Sequence, residues 1–472
     1  MEVSPFAESH RQVASGDFAK QSKAMGSIMA EKGLSCVDID SKNEQVLLDA
    51  DNVFWGITGV NGNSNTFIPR ELLSLYERVK NKCDQEIKNF RFDSHLTAIY
   101  IDPTDLCNAN CPYCYVPLKT RKHGRSMTEK ELTFILQKIA KYFNGRDKKP
   151  VIIFHASEPL LVKEIIFKAI DRFKEHFYFG IQTNGLLLED KDIEFIKKRK
   201  IGIGISLDAS SAVINNRLRF SAKDGGNYNS AIRAIDRFNG YAGLNVLTTI
   251  TKINLRNLPS LVRFLHKKKV PCVLLNPVRL TQKNSRFLKP DDKYMARYFI
   301  YAVREAMKCS MGSRHKIIIG NFANIILGII APTARRLMCD ISPCGGGRCL
   351  LTITAAGDML PCGEFIGLEG FSGGNIFESS IDKAMNSGPF RKIRSRIVEK
   401  ITECNICSFR NICGAPCPAE LHALGNMHKK AVFCEFYKEI ITYAFKLIAE
   451  GKEKYLLRQS GFKNLNYQYK IN

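Results

Sequence analysis

The sequence predicts an α/β protein built on a partial (β/α)6 TIM-like barrel, with an N-terminal accessory region before it and a cysteine-rich region after it. Three observations carry this prediction. Apolar strands alternate with amphipathic helices from about residue 96 to residue 334, the pattern of βα units in a parallel sheet. Near residue 335 the alternation stops and Gly, Cys and Pro become frequent. Most of the 16 cysteines of this 472-residue chain are clustered. Six βα units are too few for the eight-unit closed barrel but suit a partial one.

Residues 1–95 form a mixed N-terminal region in which short strands are expected within Asn43 to Thr58 and a helix over Pro69 to Lys88. A possible role for this region is peptide binding. The barrel occupies 96–334. Its strands are expected at Leu96–Ile101, Val151–Phe154, Tyr178–Gln182, Ile201–Leu207, Leu244–Ile250 and Val273–Leu275. Thr128 and Glu131 form a capping box that opens the first helix. Further helices are expected over Leu161–Phe177, from Asp190, and over Tyr228–Phe238. Ile317–Ala331 is apolar but short, and reads as a buried helix, not a membrane span. Residues 335–436 form the cysteine-rich domain, and 437–472 a final helix with a basic tail.

Composition narrows the class. An apolar fraction of 45% and a charged fraction of 25% exclude wholesale disorder and a collagen-like repeat. Met1 to Ala30 lacks a continuous apolar run, so no signal peptide is expected and a cytoplasmic location is. Clustered cysteines without an export signal point to metal or redox chemistry, not to disulfides. The net charge of +24 fits either a solvated basic surface or an acidic partner such as a peptide.

The first cluster is Cys107, Cys111 and Cys114, a C-x3-C-x2-C loop directly after the first barrel strand. Structural zinc sites want four ligands in paired knuckles, whereas three thiolates on a four-iron cluster leave one iron open for chemistry. This loop, with Tyr113 before the last cysteine, resembles the radical S-adenosylmethionine (radical SAM) superfamily. The resemblance implies a [4Fe-4S] cluster held by the three cysteines, whose free iron chelates S-adenosylmethionine. One-electron reduction then gives a 5′-deoxyadenosyl radical that takes a hydrogen atom from the substrate. The family usually has Gly-Gly-Glu-Pro after the second strand. This chain has Ala156, Ser157, Glu158 and Pro159, so a differently shaped loop is expected. Further cofactor contacts implied by the resemblance are Gln182, Asn184, Ser206 and Asp208 at successive strand ends. Arg217 or Arg219 is available for the methionine carboxylate, and Tyr113 for the cluster and adenine. His155 is a candidate proton donor.

The C-terminal cysteines run Cys339, Cys344, Cys362, Cys404, Cys407, Cys413, Cys417 and Cys434, with Gly357 five residues before Cys362. Their spacing resembles the SPASM extension of radical SAM enzymes, which carries two auxiliary [4Fe-4S] clusters; eight thiolates suffice for both. The family's interleaved connectivity implies Cys339, Cys344, Cys362 and Cys417 on one cluster and Cys404, Cys407, Cys413 and Cys434 on the other. Cys349 competes for a place in the first set. A pair of zinc knuckles is the competing reading. Cys36, Cys83, Cys272 and Cys309 fit no cluster and are expected to be buried apolar residues.

The same resemblance implies post-translational modification of a peptide or protein, as in maturation of a ribosomally made peptide. The run Cys413 to Glu420 resembles peptide-modifying maturases of the CbpB type. A reductant such as flavodoxin or ferredoxin is the implied electron donor. Anaerobic sulfatase maturation is the alternative; that family places a catalytic Asp directly after the cysteine matching Cys362. Here Gly363 stands in that position and Glu364, a candidate base, follows. A non-catalytic iron–sulfur carrier or scaffold is the third reading. A nucleic-acid partner is disfavoured for want of an RNA-binding motif, and no membrane partner is expected.

Overall fold

A computed structural model describes residues 33–458, except 42–43, 61–65, 94, 147, 222 and 224. The first part of the N-terminal region and the basic tail therefore lie outside the described residues. The remainder of the N-terminal region is a four-stranded antiparallel sheet, β1 (Leu34–Ser41), β2 (Glu44–Asp49), β3 (Trp55–Val60) and β4 (Thr66–Phe67), in sequential order. Helix α1 (Arg70–Phe92) follows. It buries Leu72, Tyr76, Val79, Cys83 and Ile87, one stripe at helical spacing.

The barrel strands are β5 (Ala98–Ile101), β6 (Val151–Phe154), β7 (Tyr178–Thr183), β8 (Gly202–Ser206), β9 (Leu244–Ile250) and β10 (Cys272–Pro277). All neighbours among them pair in parallel. The covering helices include α2 (Leu118–His123), α3 (Glu129–Phe143), α4 (Lys163–Phe173), α5 (Asp190–Lys198), α6 (Ala212–Leu218), α7 (Tyr228–Phe238), α8 (Leu258–Lys267) and α9 (Asp292–Met311). At the start of α3 the Thr128 hydroxyl accepts from the Glu131 amide at 3.2 Å, and the Glu131 carboxylate accepts from the Thr128 amide at 2.7 Å. The Ile317–Ala331 segment is a two-residue strand, β11 (Ile318–Ile319), running into the buried helix α10 (Gly320–Ile330). Among the described residues no helix is long and apolar enough to cross a membrane.

The sheet does not stop at six strands. Its order is β11-β10-β9-β8-β7-β6-β5-β12-β13, with β12 (Leu350–Ile353) parallel to β5 and β13 (Met359–Leu360) antiparallel to β12. The cysteine-rich region therefore extends the barrel sheet. Its hairpin needs a glycine at 357: φ is +90°, and a Cβ there would lie 2.5 Å from the Phe377 ring. The chain continues through α11 (Pro418–Ala423) to α12 (Cys434–Ala449), which packs against α9 with Phe436 edge-on to Phe299 at 5.3 Å.

Several contacts tie the N-terminal part to the rest, among them those of Trp55 and Arg91. The Trp55 indole donates to the Ile329 carbonyl at 3.0 Å. Arg91, at the end of α1, holds Glu399 with two bonds of 2.7 and 2.9 Å and also donates to the Ser342 carbonyl. A bidentate, mostly buried guanidinium–carboxylate pair resists loss of one partner. We expect Arg91→Ala to destabilise the protein by about 2 kcal/mol, read as a fall in thermal unfolding midpoint.

Candidate active site

The loop carrying Cys107, Cys111 and Cys114 leaves β5 and is strapped down by α2. Arg121 is buried, and its guanidinium donates to the Val116 carbonyl at 3.1 Å and the Ala109 carbonyl at 3.3 Å. The three thiols face one cavity of about 380 Å³ at the strand ends. Burial pushes Cys107 up to about 12 and Cys111 up to about 11, and raises Cys114 as well. Thiols gathered in so little water ionise only when a cationic group shares the charge, so the donor set fits a soft metal cluster.

Tyr113, Ser157, Gln182, Asn184, Ser206, Arg219 and His155 all line this cavity. Arg217 is exposed and does not. In the loop after β6, Ala156 and Ser157 both have positive φ, +55° and +41°, the region that glycine favours. The chain adopts this left-handed backbone without glycine, at a cost of about 1–3 kcal/mol per residue.

Glu158 and Asp208, two of the residues named for the cofactor, lie buried and bond to the protein around them. Glu158 is fully buried and absent from the cavity wall. Its carboxylate accepts from the Thr183 hydroxyl at 2.7 Å, the Asn184 amide at 2.7 Å and the Leu160 amide at 3.1 Å. It thus locks the ends of β6 and β7 together. Asp208 is also fully buried. It pairs with Arg219 at 2.9 Å and accepts from the Tyr113 hydroxyl and the Thr249 amide. Both carboxylates face inward at their strand ends, a direction that residue type alone does not reveal.

The opposite wall comes from the C-terminal region: Cys339, Asp340, Glu364 and Tyr437 line the same cavity, with Arg279 from the loop after β10. Glu364 accepts from the Arg279 Nε at 3.4 Å, while its other oxygen is buried without a hydrogen-bond partner. Among the site residues not expected from the sequence, Arg279 and Asp102 carry no spacing signal, whereas Tyr115 and Asp340 directly follow Cys114 and Cys339 and could have been found from that adjacency.

The C-terminal thiols fall into two groups. Burial raises Cys362 most, and Cys417, Cys344 and Cys339 add to it. Cys417 is pushed up to about 12. Separately, burial raises Cys404 to about 11, with Cys434 and Cys407 adding, and these same two thiols act on Cys413. This second group lines a cavity of about 670 Å³ walled on one side by Val37 of β1. Among the described residues no three His, Cys, Asp or Glu side chains converge closely enough to hold a single metal ion. Cys349 is buried immediately before β12, its carbonyl accepting from the Thr97 and Ala98 amides. Of the remaining cysteines only Cys83 is fully buried; Cys36, Cys272 and Cys309 are half-buried, contrary to expectation.

Comparison with known proteins places this architecture. Residues 101–265 match the radical SAM superfamily and residues 344–408 match SPASM, an iron–sulfur cluster-binding domain. The chain belongs to the radical SAM enzymes that carry a SPASM domain, and a SAM-binding [4Fe-4S] cluster, S-adenosylmethionine and auxiliary iron–sulfur clusters are the cofactors of that class. An uncharacterised protein of Archaeoglobus fulgidus is 40% identical over 89% of this chain and 96% of its own. A cysteine-type anaerobic sulfatase-maturating enzyme of Clostridium novyi is 22% identical over 73% of this chain and 95% of its own. Two solved structures share the fold. Native anSMEcpe with bound AdoMet and Cp18Cys peptide has a TM-score of 0.65 at 19% identity, covering 76% of this chain and 99% of that one. Streptococcus suis SuiB bound to its precursor peptide SuiA has a TM-score of 0.57 at 18% identity, covering 88% of each chain.

Burial pushes the Glu158 carboxyl up to about 7 from the usual 4.5, against hydrogen bonds from Asn184, Thr183 and Leu160 that favour its ionised form. The folded state therefore holds this proton more tightly than the unfolded chain. That stabilisation is complete below pH 4.5 and is lost as pH rises through about 7. Glu158→Gln does not titrate. Whatever its offset, we expect it to gain on the order of 2 kcal/mol relative to wild type between about pH 5 and about pH 8, read from paired unfolding midpoints.

Proposed function

We propose that this enzyme modifies a peptide or protein side chain at the cavity between the barrel mouth and the C-terminal region. One observation carries the reading: a single cavity is walled by the Cys107–Cys114 loop and the barrel strand ends on one side, and by Cys339, Asp340 and Glu364 on the other. A substrate there touches both the radical-generating face and the auxiliary-cluster face.

In this reading Cys107, Cys111 and Cys114 hold the SAM-binding cluster. Cys339, Cys344, Cys362 and Cys417 hold one auxiliary cluster, and Cys404, Cys407, Cys413 and Cys434 the other. When bound, S-adenosylmethionine and its cluster supply hydrogen-atom abstraction from an unactivated carbon. The chain's own residues position it. Gln182, Asn184 and Ser206 offer polar contacts at adjacent strand ends, Arg219 offers a cation for the methionine carboxylate, and Tyr113 offers a ring for adenine. Asp208 fixes both Arg219 and Tyr113 from behind. Arg279 and Glu364 offer one donor set and one free carboxylate oxygen to a peptide segment.

The domain assignment follows: residues 96–334 as the radical SAM barrel and 335–436 as the SPASM domain. The net charge of +24 suits an acidic leader segment. The outer cysteine group lies beside Lys430 and Lys438, which suits an acidic reductant such as flavodoxin or ferredoxin in the cytoplasm.

Formylglycine generation on Cys or Ser is the second reading. The similarity to the Clostridium novyi enzyme over 95% of that protein favours it. Gly363, which places no carboxylate directly after Cys362, weighs against it. Anaerobic, reduced enzyme incubated with S-adenosylmethionine and cysteine- or serine-containing peptides separates the outcomes by mass spectrometry. A crosslink or thioether supports the first reading, an aldehyde the second, and no peptide change refutes both. We expect Cys107→Ala to abolish formation of 5′-deoxyadenosine. Cys362→Ala should leave uncoupled cleavage while product falls at least about 100-fold.

A further inference from the structure

His155 closes the second barrel strand, and its amide donates to the Ile101 carbonyl at 3.0 Å. Its side chain is wedged between four groups. The Asp102 carboxylate lies 3.6 Å from Nδ1. The Tyr115 hydroxyl lies 3.3 Å from Nε2, with the two rings stacked at 6.3 Å. Tyr100 packs edge-on at 5.1 Å. On the fourth side is Gly363: a Cβ there would lie 3.1 Å from the imidazole Cε1 and 3.4 Å from Nδ1. The missing side chain after Cys362 is thus the space that His155 fills.

Asp102 is 2% exposed, and neither oxygen has a hydrogen-bond partner. Burial raises the Asp102 carboxyl above the usual carboxylate range, and among the described residues His155 is the group beside it that can take up a compensating positive charge. The Tyr115 contact is long for a hydroxyl-to-imidazole bond, so a substrate atom can replace it. Imidazole, Tyr100 and Tyr115 all line the central cavity. The groups facing His155 are Asp102 and Tyr100 from β5 and Tyr115 from the cysteine loop; Glu364 from the C-terminal region bears on it through Tyr115.

Building on the peptide-modifying reading, we infer that His155 is the proton acceptor for the substrate's cysteine thiol or serine hydroxyl, with Asp102 as its positioning residue. The S–H or O–H bond breaks heterolytically. The electron pair stays on sulfur or oxygen, the proton goes to Nε2, and Nδ1–H remains directed at Asp102, whose charge balances the imidazolium. No electron is transferred in this step.

Two comparisons test this on the holoenzyme, both with the Cp18Cys peptide as probe. In the first, Asp102→Asn should raise the ratio of 5′-deoxyadenosine to modified peptide at least about tenfold and Asp102→Glu should recover part of it; an unchanged ratio in Asp102→Asn overturns the pairing. In the second, His155→Ala and the bulkier His155→Gln should each raise the ratio of 5′-deoxyadenosine to modified peptide at least about tenfold. Adding Gly363→Asp to His155→Ala should recover part of that loss, because the new carboxylate points into the vacated space. An unchanged ratio in both His155 variants overturns the proposal. A wild type that modifies no peptide overturns the functional reading and this proposal with it, whereas equal modification by the wild type and both His155 variants overturns the proposal alone.

Discussion

The parallel pairing of β12 with β5 is the constraint from which the site follows. Leu350 to Ile353 lie in register with Ala98 to Ile101, and the Asp102 amide continues the ladder by donating to the Ile353 carbonyl at 2.9 Å. The strand leading into the Cys107–Cys114 loop and the strand leading to Cys362 are thereby neighbours in one sheet. The β13 return then sets Gly363 against His155 and Tyr115. Two chemistries encoded about 250 residues apart in sequence come to share one wall because their strands share hydrogen bonds, not because two finished domains dock.

The strand ends are held by buried carboxylates in the same spirit. Glu158 ties β6 to β7 through Thr183 and Asn184. Asp208 ties β8 to β9 through the Thr249 amide and anchors the Arg219 and Tyr113 side chains. Asn227 bridges the Asn184 and Ser206 carbonyls, at 2.7 Å each. These groups spend their hydrogen-bonding capacity on the protein, and that leaves the cavity-facing Gln182, Asn184 and Ser206 in fixed positions. A catalytic cavity must hold its contacts within fractions of an ångström, and buried, fully bonded acids behind the wall supply that rigidity.

Much of this was legible in the sequence where periodicity is strong. β6, β9 and α7 fall where the apolar patterns place them. The capping box at Thr128 needed only local spacing. Less legible was β12, a four-residue apolar run between a glycine turn and a hairpin, whose partner is set by tertiary pairing. Cysteine spacing marked out the Cys107–Cys114 loop, whose three thiols face one cavity, whereas the C-terminal cysteines from Cys339 to Cys434 are spread along the chain and are grouped only by the fold. Spacing could not show that Glu158 and Asp208 turn inward, since successive strand residues point to opposite sides and a strand end leaves either direction open. Asp102 and Arg279 carry no spacing at all; only the folded chain sets Arg279 in the cavity wall and Asp102 behind His155.

The loop after β6 shows why the chain tolerates left-handed Ala156 and Ser157. Both residues sit between fixed points: the His155 amide is bonded to the Ile101 carbonyl and the Glu158 amide to the Leu106 carbonyl at 3.1 Å. The Ser157 hydroxyl adds a bond to the Asp105 carbonyl at 2.7 Å. The strand residue before the loop and the buried acid after it are thus tied to the segment that runs into Cys107. Two residues must span that gap, and the backbone conformation is dictated from both ends. Side chains add the serine bond and cost the strain that glycine would avoid. The exchange makes the position of the cysteine loop depend on the β6 loop, so His155 and the first thiol keep a fixed relation to each other.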